Sequence, residues 1–119
     1  WCLDCGGRAR WEGRLGDAPA CPRCGEAGGL RPDIVWFGEM PYGLDAIDRA
    51  LASADLFVSI GTSGAVYPAA GFVQTARWCG ARTLEINLEP SLGSVHFHKS
   101  RVGKAGDLVP AWVDELLAG

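Results

Sequence analysis

Two pairs of cysteines near the start of the chain constrain its fold most strongly. They form the motifs Cys2-Leu-Asp-Cys5 and Cys21-Pro-Arg-Cys24, with fifteen residues between the pairs. Two thiolates at this spacing can bind one metal ion from a tight turn, and two such turns complete a tetrahedral four-cysteine zinc site. Because four thiolates leave no open coordination position, we expect this zinc to be structural. The alternatives are two disulfides or a fortuitous pairing of the cysteines.

The size and composition of the chain narrow its class. It has 119 residues, about one domain, and a net charge of −3 without a basic cluster, which disfavours a nucleic-acid-binding surface. No stretch reaches the length of a membrane span and no signal peptide is recognisable, so we expect no membrane partner. The paired thiols and the further Cys79 suit a reducing compartment, and we expect the cytoplasm. Because a cysteine motif begins at the second residue, we expect the chain to be a piece of a longer protein.

The first part of the chain shows little regular periodicity. Residues 1–30 are rich in glycine, cysteine and arginine, and we assign them to a zinc-binding module in which residues 8–11 form one short strand. The apolar run 34–37, which Gly38 ends, predicts a second short strand. Apolar residues then recur at helical spacing, which predicts a helix over residues 44–53.

The rest of the chain predicts a strand–helix–strand unit. Residues 56–60 and 83–87 are typical of buried strands, and a helix over 68–79 lies between them with Cys79 on its buried face. The two strands should be parallel, with a right-handed crossover. A helix over 108–117, capped by Asp107, closes the chain. The predicted fold class is therefore α/β, with a partial Rossmann-like parallel sheet over residues 31–119 and a small four-cysteine zinc-ribbon module.

Polar clusters follow both predicted strands at the edge where parallel sheets bind ligands. Gly61-Thr62-Ser63-Gly64 follows the first strand, and its small residues let a ligand approach the backbone closely. Asn87-Leu88-Glu89 ends the second strand and supplies a carboxylate that can accept hydrogen bonds from ribose hydroxyls. Each cluster alone is compatible with an ordinary loop. Their joint placement favours a nucleotide site.

With the run Trp36-Phe-Gly-Glu39, the sequence resembles the sirtuins, the NAD-dependent protein-lysine deacylases, over essentially its whole length. The order of motifs is similar throughout, and two runs look most like the bacterial branch. The matching motifs are the two cysteine pairs, Pro32-Asp-Ile-Val-Trp-Phe-Gly-Glu-Met-Pro41, Gly61-Thr-Ser-Gly-Ala-Val-Tyr-Pro-Ala-Ala-Gly-Phe72, Asn87-Leu-Glu89 and Gly103-Lys-Ala-Gly106.

The resemblance implies a set of site residues. It implies zinc ligands at Cys2, Cys5, Cys21 and Cys24. It implies NAD contacts at Gly61, Thr62, Ser63, Asn87, Leu88, Glu89 and Ala105. It implies contacts to an acyl-lysine peptide at Val35, Phe37, Gly38 and Glu39. A strand edge at the last group would give hydrogen bonds to the substrate backbone that tolerate many sequences.

The resemblance also implies an activity and its limits. It implies the NAD-dependent removal of acetyl, or succinyl, groups from protein lysines, with release of nicotinamide and O-acyl-ADP-ribose. The catalytic histidine of such enzymes falls just before Trp1, so the chain holds no catalytic residue and we expect it to be inactive in isolation. The alternatives are a non-catalytic zinc-stabilised nucleotide- or peptide-binding module and a mono-ADP-ribosyltransferase.

Overall fold

A computed structural model describes all residues from Trp1 to Gly119, which divide into two compact units, Trp1–Tyr42 and Gly43–Gly119. All regular elements lie in the second unit, which we call the sheet unit; the first is the cysteine unit. In chain order the elements are helix α1 (Leu44–Ser53), strand β1 (Leu56–Ile60), a 3-10 turn (Ala69–Gly71), helix α2 (Phe72–Trp78), strand β2 (Arg82–Asn87), a 3-10 turn (Ser94–His96), strand β3 (Lys99–Val102) and helix α3 (Ala105–Leu117).

The three strands form one parallel sheet in the order β1-β2-β3. Ile60 pairs with Ile86, and Asn87 pairs with Val102, so all three strands end at the same edge of the sheet. The predicted parallel pairing of the first two strands is confirmed. Strand β3 was not predicted, because its alternating charged residues do not resemble a buried strand.

The central strand β2 is the most buried element. Four consecutive residues, Thr83 to Ile86, are buried, as expected for a strand covered on both faces. The buried Thr83 forms its hydrogen bonds with His98. The His98 backbone amide donates to the Thr83 hydroxyl at 2.9 Å, and the Thr83 backbone amide donates to the His98 ring Nδ1 at 3.1 Å. Thr83 and Glu85 are the two buried polar residues of this strand, and the partners of Glu85 lie in the loop that follows the strand and in β3.

Helices α1 and α2 cover one another beside the sheet. Helix α1 has the predicted bounds, and its Leu51 packs in a cluster with Ala76 and Ala81. Helix α2 is shorter than predicted, because a 3-10 turn takes the place of its first turn. The prediction that Cys79 is buried was wrong, since α2 ends at Trp78 and leaves Cys79 exposed.

Helix α3 begins earlier than the predicted residue 108, at Ala105. Lys104 precedes it, and the backbone amides of Asp107 and Leu108 donate to the Lys104 carbonyl at 3.1 and 3.0 Å. Asp107 therefore lies within the first turn and is not the predicted cap. Its carboxylate still lies near the positive end of the helix dipole.

The cysteine unit contains no strand or helix, only two isolated antiparallel bridges, Cys2–Leu30 and Ala20–Ala27. The predicted strands at residues 8–11 and 34–37 are both wrong. A segment forms a strand only if the backbone of another segment pairs with it through hydrogen bonds, and neither of these two segments has such a partner. The unit extends past residue 30 to Tyr42. No helix anywhere in the structure is long and apolar enough to cross a membrane.

Candidate functional site

The structure gathers all four cysteines of the two motifs into one cluster. Their sulfur atoms all lie within 4.8 Å of one another. The Sγ atoms of Cys2 and Cys24 are 3.8 Å apart, and those of Cys5 and Cys21 are 3.9 Å apart. No cysteine forms a disulfide, so the disulfide alternative is not borne out. A tetrahedral zinc site with zinc–sulfur bonds of about 2.3 Å requires sulfur atoms about 3.8 Å apart, and these two pairs match that spacing.

The two cysteine turns are built alike. In each, the glycine that follows the motif donates its amide to the carbonyl of the first cysteine: Gly6 to Cys2 at 2.9 Å, and Gly25 to Cys21 at 2.8 Å. Both glycines adopt positive φ, 65° and 82°, a conformation that a side chain would disfavour. Donation by the backbone amides of Cys24 and Arg23 lowers the pKa of the Cys21 thiol to about 6. For the Cys24 thiol, donation by the Glu26 amide is outweighed by burial and the other thiols, which raise its pKa to about 12. A metal would therefore have to displace protons from the other thiols of the cluster.

Glu39, a predicted substrate contact, is held by Arg31. The guanidinium donates to both carboxylate oxygens, at 2.5 and 3.0 Å, and the backbone amide of Trp36 donates to Oε2 at 3.0 Å. Arg31 and then the Trp36 amide lower the pKa of Glu39 to about 2, so the carboxylate is ionised at any physiological pH. The hydrogen bonds of Glu39 therefore hold the turn at residues 34–39, and other side chains of this turn face the solvent.

Those other groups are apolar and accessible. The side chain of Phe37 is 89 % exposed and Trp36 is 50 % exposed, while Val35 is also at the surface. Gly38 follows Phe37 in this turn and has φ 83°. Exposed aromatic residues on an ordered turn are typical of a contact surface for another molecule. The structure brings the four predicted substrate residues into one turn, although it does not form the expected strand.

The predicted nucleotide residues meet at the carboxyl edge of the sheet. Residues 61–63 and 87–89 line one open depression of about 370 Å³, together with residues 90–92. The side-chain amide of Asn87 donates to the Thr62 carbonyl at 2.7 Å, and its Oδ1 accepts from the Leu88 amide at 3.2 Å. Asn87 thus fixes the two loops against each other. The hydroxyl of Ser63 and the carboxylate of Glu89 make no bond within the chain and are available to a ligand.

Ala105 is the first residue of α3, and two residues separate it from the end of β3. The amide of Gly103 donates to the Asn87 carbonyl at 2.9 Å, which ties this connection to the same edge. Ala105 does not line the depression. Its predicted contact would come from the backbone at the amino end of the helix.

Glu85 organises the loop that follows the nucleotide residues. Its buried carboxylate accepts hydrogen bonds from the hydroxyls of Ser91, Ser94 at 2.5 Å and Ser100 at 3.0 Å. Burial alone would raise the pKa of Glu85, but the serine hydroxyls outweigh it and lower the pKa below its usual range. The carboxylate therefore remains charged and holds the 88–94 loop on the sheet.

Sequence reasoning missed Arg31 and Glu85. A signal existed for Glu85: a carboxylate within an apolar buried strand needs donors, and Ser91 and Ser94 follow it within nine residues. For Arg31 the only signal was an arginine beside a run of aromatic residues, which many surface segments share.

Comparison with known proteins places these features in one family. The model of the Sir2 family matches residues 1–68, more than half of the chain. An NAD-dependent protein deacylase of Leishmania major, SIR2rp3, is 52% identical over 98% of this chain and 48% of its own length. The crystal structure of a Sir2 homologue–NAD complex superposes with a TM-score of 0.87 at 32% identity, covering 98% of this chain and 46% of that one.

A second solved structure, Sir2Af2 bound to a myristoylated histone peptide, superposes with a TM-score of 0.73 at 34% identity, covering 85% of this chain and 43% of that chain. The chain spans about half the length of the curated relatives it matches. The family match extends from the first cysteine turn, through the Arg31–Glu39 turn, to the loop that begins at Gly61. On this evidence, the chain belongs to the Sir2 family.

Proposed function

We propose that the protein carrying this sequence removes acyl groups from protein lysines in an NAD-dependent reaction. The observation that carries the proposal is the likeness to NAD-dependent protein deacylases, 52% and 54% identical, over nearly all of the chain. In such a reaction the acyl oxygen of the substrate would attack the ribose carbon of NAD and displace nicotinamide. Addition of water would then pass the acyl group to ADP-ribose and release the free lysine amine.

The residues of this chain would bind and orient the reactants. Ser63 and Glu89 would contact the ribose hydroxyls and phosphates of NAD, on loops that Asn87 fixes. Residues 35, 37, 38 and 39 would bind the acyl-lysine peptide. The general base would be a histidine outside this chain, as the resemblance to the sirtuins implies. Within the chain, His96 Nε2 lies 2.9 Å from the Gln74 amide nitrogen and His98 Nδ1 is bonded to Thr83.

We further propose that the metal of the four-cysteine cluster is zinc. Cys2, Cys5, Cys21 and Cys24 would supply all four ligands, so the ion would stabilise the cysteine unit and take no part in the reaction. The sulfur spacing supports this proposal, as does the absence of disulfides. Free, closely spaced thiols also fit a reducing compartment, and we propose the cytoplasm.

Nicotinamide release from NAD tests the proposed reaction. The protein would be assayed with an acetyl-lysine peptide, with a succinyl-lysine peptide and with no peptide. Release that requires an acylated peptide is the expected result, and it also identifies the acyl preference. Release without any acyl-lysine would instead favour ADP-ribosyl transfer. Absence of release under all three conditions would favour a zinc-stabilised binding module.

Replacing Asn87 by alanine should weaken NAD binding without affecting the peptide. The substitution removes the hydrogen bond to Thr62 and the one from the Leu88 amide, so both ligand-binding loops lose their mutual restraint. We expect the KM for NAD to rise roughly tenfold, since the restraint from these two hydrogen bonds should be worth about 1.4 kcal/mol to NAD binding. The KM for the acyl peptide should stay the same. Both constants would come from steady-state nicotinamide release.

A matched control is Gln74→Ala, which removes an amide side chain on α2 that bonds the His96 ring. It should leave the KM for NAD at the wild-type value. Equal losses in the two variants, or an Asn87→Ala protein with unchanged NAD affinity, would contradict the role given to Asn87.

A further inference from the structure

The backbone of Arg31 is hydrogen-bonded to Trp1, the residue that precedes the first cysteine of the cluster. Its amide donates to the Trp1 carbonyl at 2.8 Å, and the nitrogen of Trp1 donates back to the Arg31 carbonyl at 2.9 Å. The next residues in the two segments, Cys2 and Leu30, form an antiparallel bridge. Arg31 is therefore one residue away from the partner of a metal-ligating cysteine.

The side chain of Arg31 reaches in the other direction, into the turn at residues 34–39. Besides its two bonds to Glu39, it donates to the Ile34 carbonyl at 3.0 Å. Its guanidinium carbon lies 3.9 Å from the centre of the Trp36 ring, and the side chain is only 11% exposed. A planar, multiply bonded and stacked guanidinium is a geometry that lysine cannot reproduce.

The turn has no other hydrogen-bonded support. Every hydrogen bond made by residues 34–41 involves Arg31 or Glu39, including the one from the Glu39 amide to the Trp36 carbonyl at 3.1 Å. Just before the turn, Asp33 is bonded to Arg8 and Tyr42. Side chains at residues 35–37 are too exposed to hold the turn by burial. Its shape therefore depends on where Arg31 is held.

We propose that Arg31 is a positioning residue that couples the four-cysteine metal site to the substrate turn at residues 34–39, so that loss of the metal loosens this turn and weakens binding of the acyl peptide. The chain of contacts is continuous: the metal fixes Cys2, the Cys2–Leu30 bridge fixes the Arg31 backbone, and the Arg31 side chain fixes Glu39. The part that concerns peptide binding rests on the proposed deacylase function. The structural coupling does not.

The coupling can be tested by hydrogen–deuterium exchange on the protein that carries this sequence. Exchange of the amides at residues 34–39 would be followed with zinc bound, after removal of zinc by a chelator, and after zinc is restored. Chelation should speed exchange in this turn about tenfold or more, because its only support is then released, and zinc should reverse the change. Zinc removal that leaves exchange in the turn unchanged would overturn the proposal.

Arg31→Lys separates the coupling from the metal site itself. This variant retains the backbone pairing with Trp1 and the positive charge, so zinc content should equal that of the wild type. The KM for acyl peptide should rise roughly tenfold or more through misplacement of the turn, with the KM for NAD unchanged. The matched control is Arg101→Lys, because Arg101 makes a similar two-bond pair with Glu115 in the sheet unit. This control should leave both constants unchanged.

The outcomes distinguish the coupling from the proposed function. If acyl peptides do not stimulate nicotinamide release by the wild-type protein, the deacylase function is refuted. Amide exchange at residues 34–39 of the Arg31→Lys protein would still test the coupling. Wild-type exchange and wild-type peptide KM in that protein would overturn the role of Arg31. If the Arg31→Lys protein loses zinc, Glu39→Gln is the second variant, because it removes the charge of the carboxylate that Arg31 binds. Wild-type amide exchange at residues 34–39 in the Glu39→Gln protein would refute the proposal.

Discussion

Replacing Cys21 by alanine is expected to abolish metal binding by the four-cysteine cluster and to unfold the cysteine unit. The only buried residues of that unit are Cys2, Gly7 and Cys21, so the cluster takes the place of a hydrophobic core. Structural zinc, as proposed for this cluster, would contribute roughly 10 kcal/mol or more of binding free energy, which a unit without a core cannot replace. Zinc content by elemental analysis and amide exchange over residues 1–42 would measure both effects.

Cys79→Ala is the control for that experiment, since Cys79 is an exposed thiol in the sheet unit and takes no part in the cluster. It should retain full zinc content and wild-type exchange. A Cys21→Ala protein that keeps both its metal and its amide protection would show that the cysteines do not form the core of this unit.

Glu85→Ala is expected to destabilise the sheet unit by about 3 kcal/mol, because the hydroxyls of Ser91, Ser94 and Ser100 lose a buried charged acceptor. Urea unfolding at pH 7 would measure the loss. The 88–94 loop should also loosen, and the KM for NAD should rise. Glu115→Ala, which removes an accessible carboxylate paired with Arg101, should cost no more than about 0.5 kcal/mol.

The stabilisation by Glu85 should depend on pH in a defined direction. Its pKa in the folded protein lies below the value of 4.5 expected of an unfolded glutamate, so the ionised form favours folding. The contribution is complete above pH 4.5 and is lost as the pH falls through the folded pKa. The stability difference between wild type and Glu85→Gln should therefore narrow below pH 4.5. A difference that widens on acidification would contradict a charged Glu85.

The sequence alone predicted the features that depend on local spacing. The cysteine cluster follows from two motifs whose internal spacing matches the reach of one metal ion, and α1 follows from apolar residues at helical intervals. Parallel pairing of β1 and β2 follows from the handedness of the crossover. That pairing in turn placed residues 61–63 and 87–89 at one edge, where the structure has them.

Only the tertiary structure decided which polar groups meet across longer separations. Arg31 and Glu39 are eight residues apart, and Glu85 and Ser100 are fifteen apart, with no periodic pattern that links them. The strand predicted at residues 34–37 is another example. This segment belongs to a turn, because Arg31 binds both Ile34 and Glu39 and no other backbone pairs with the segment. Local propensity depends on neighbours in the chain, whereas hydrogen-bond partners and strand pairing depend on neighbours in space.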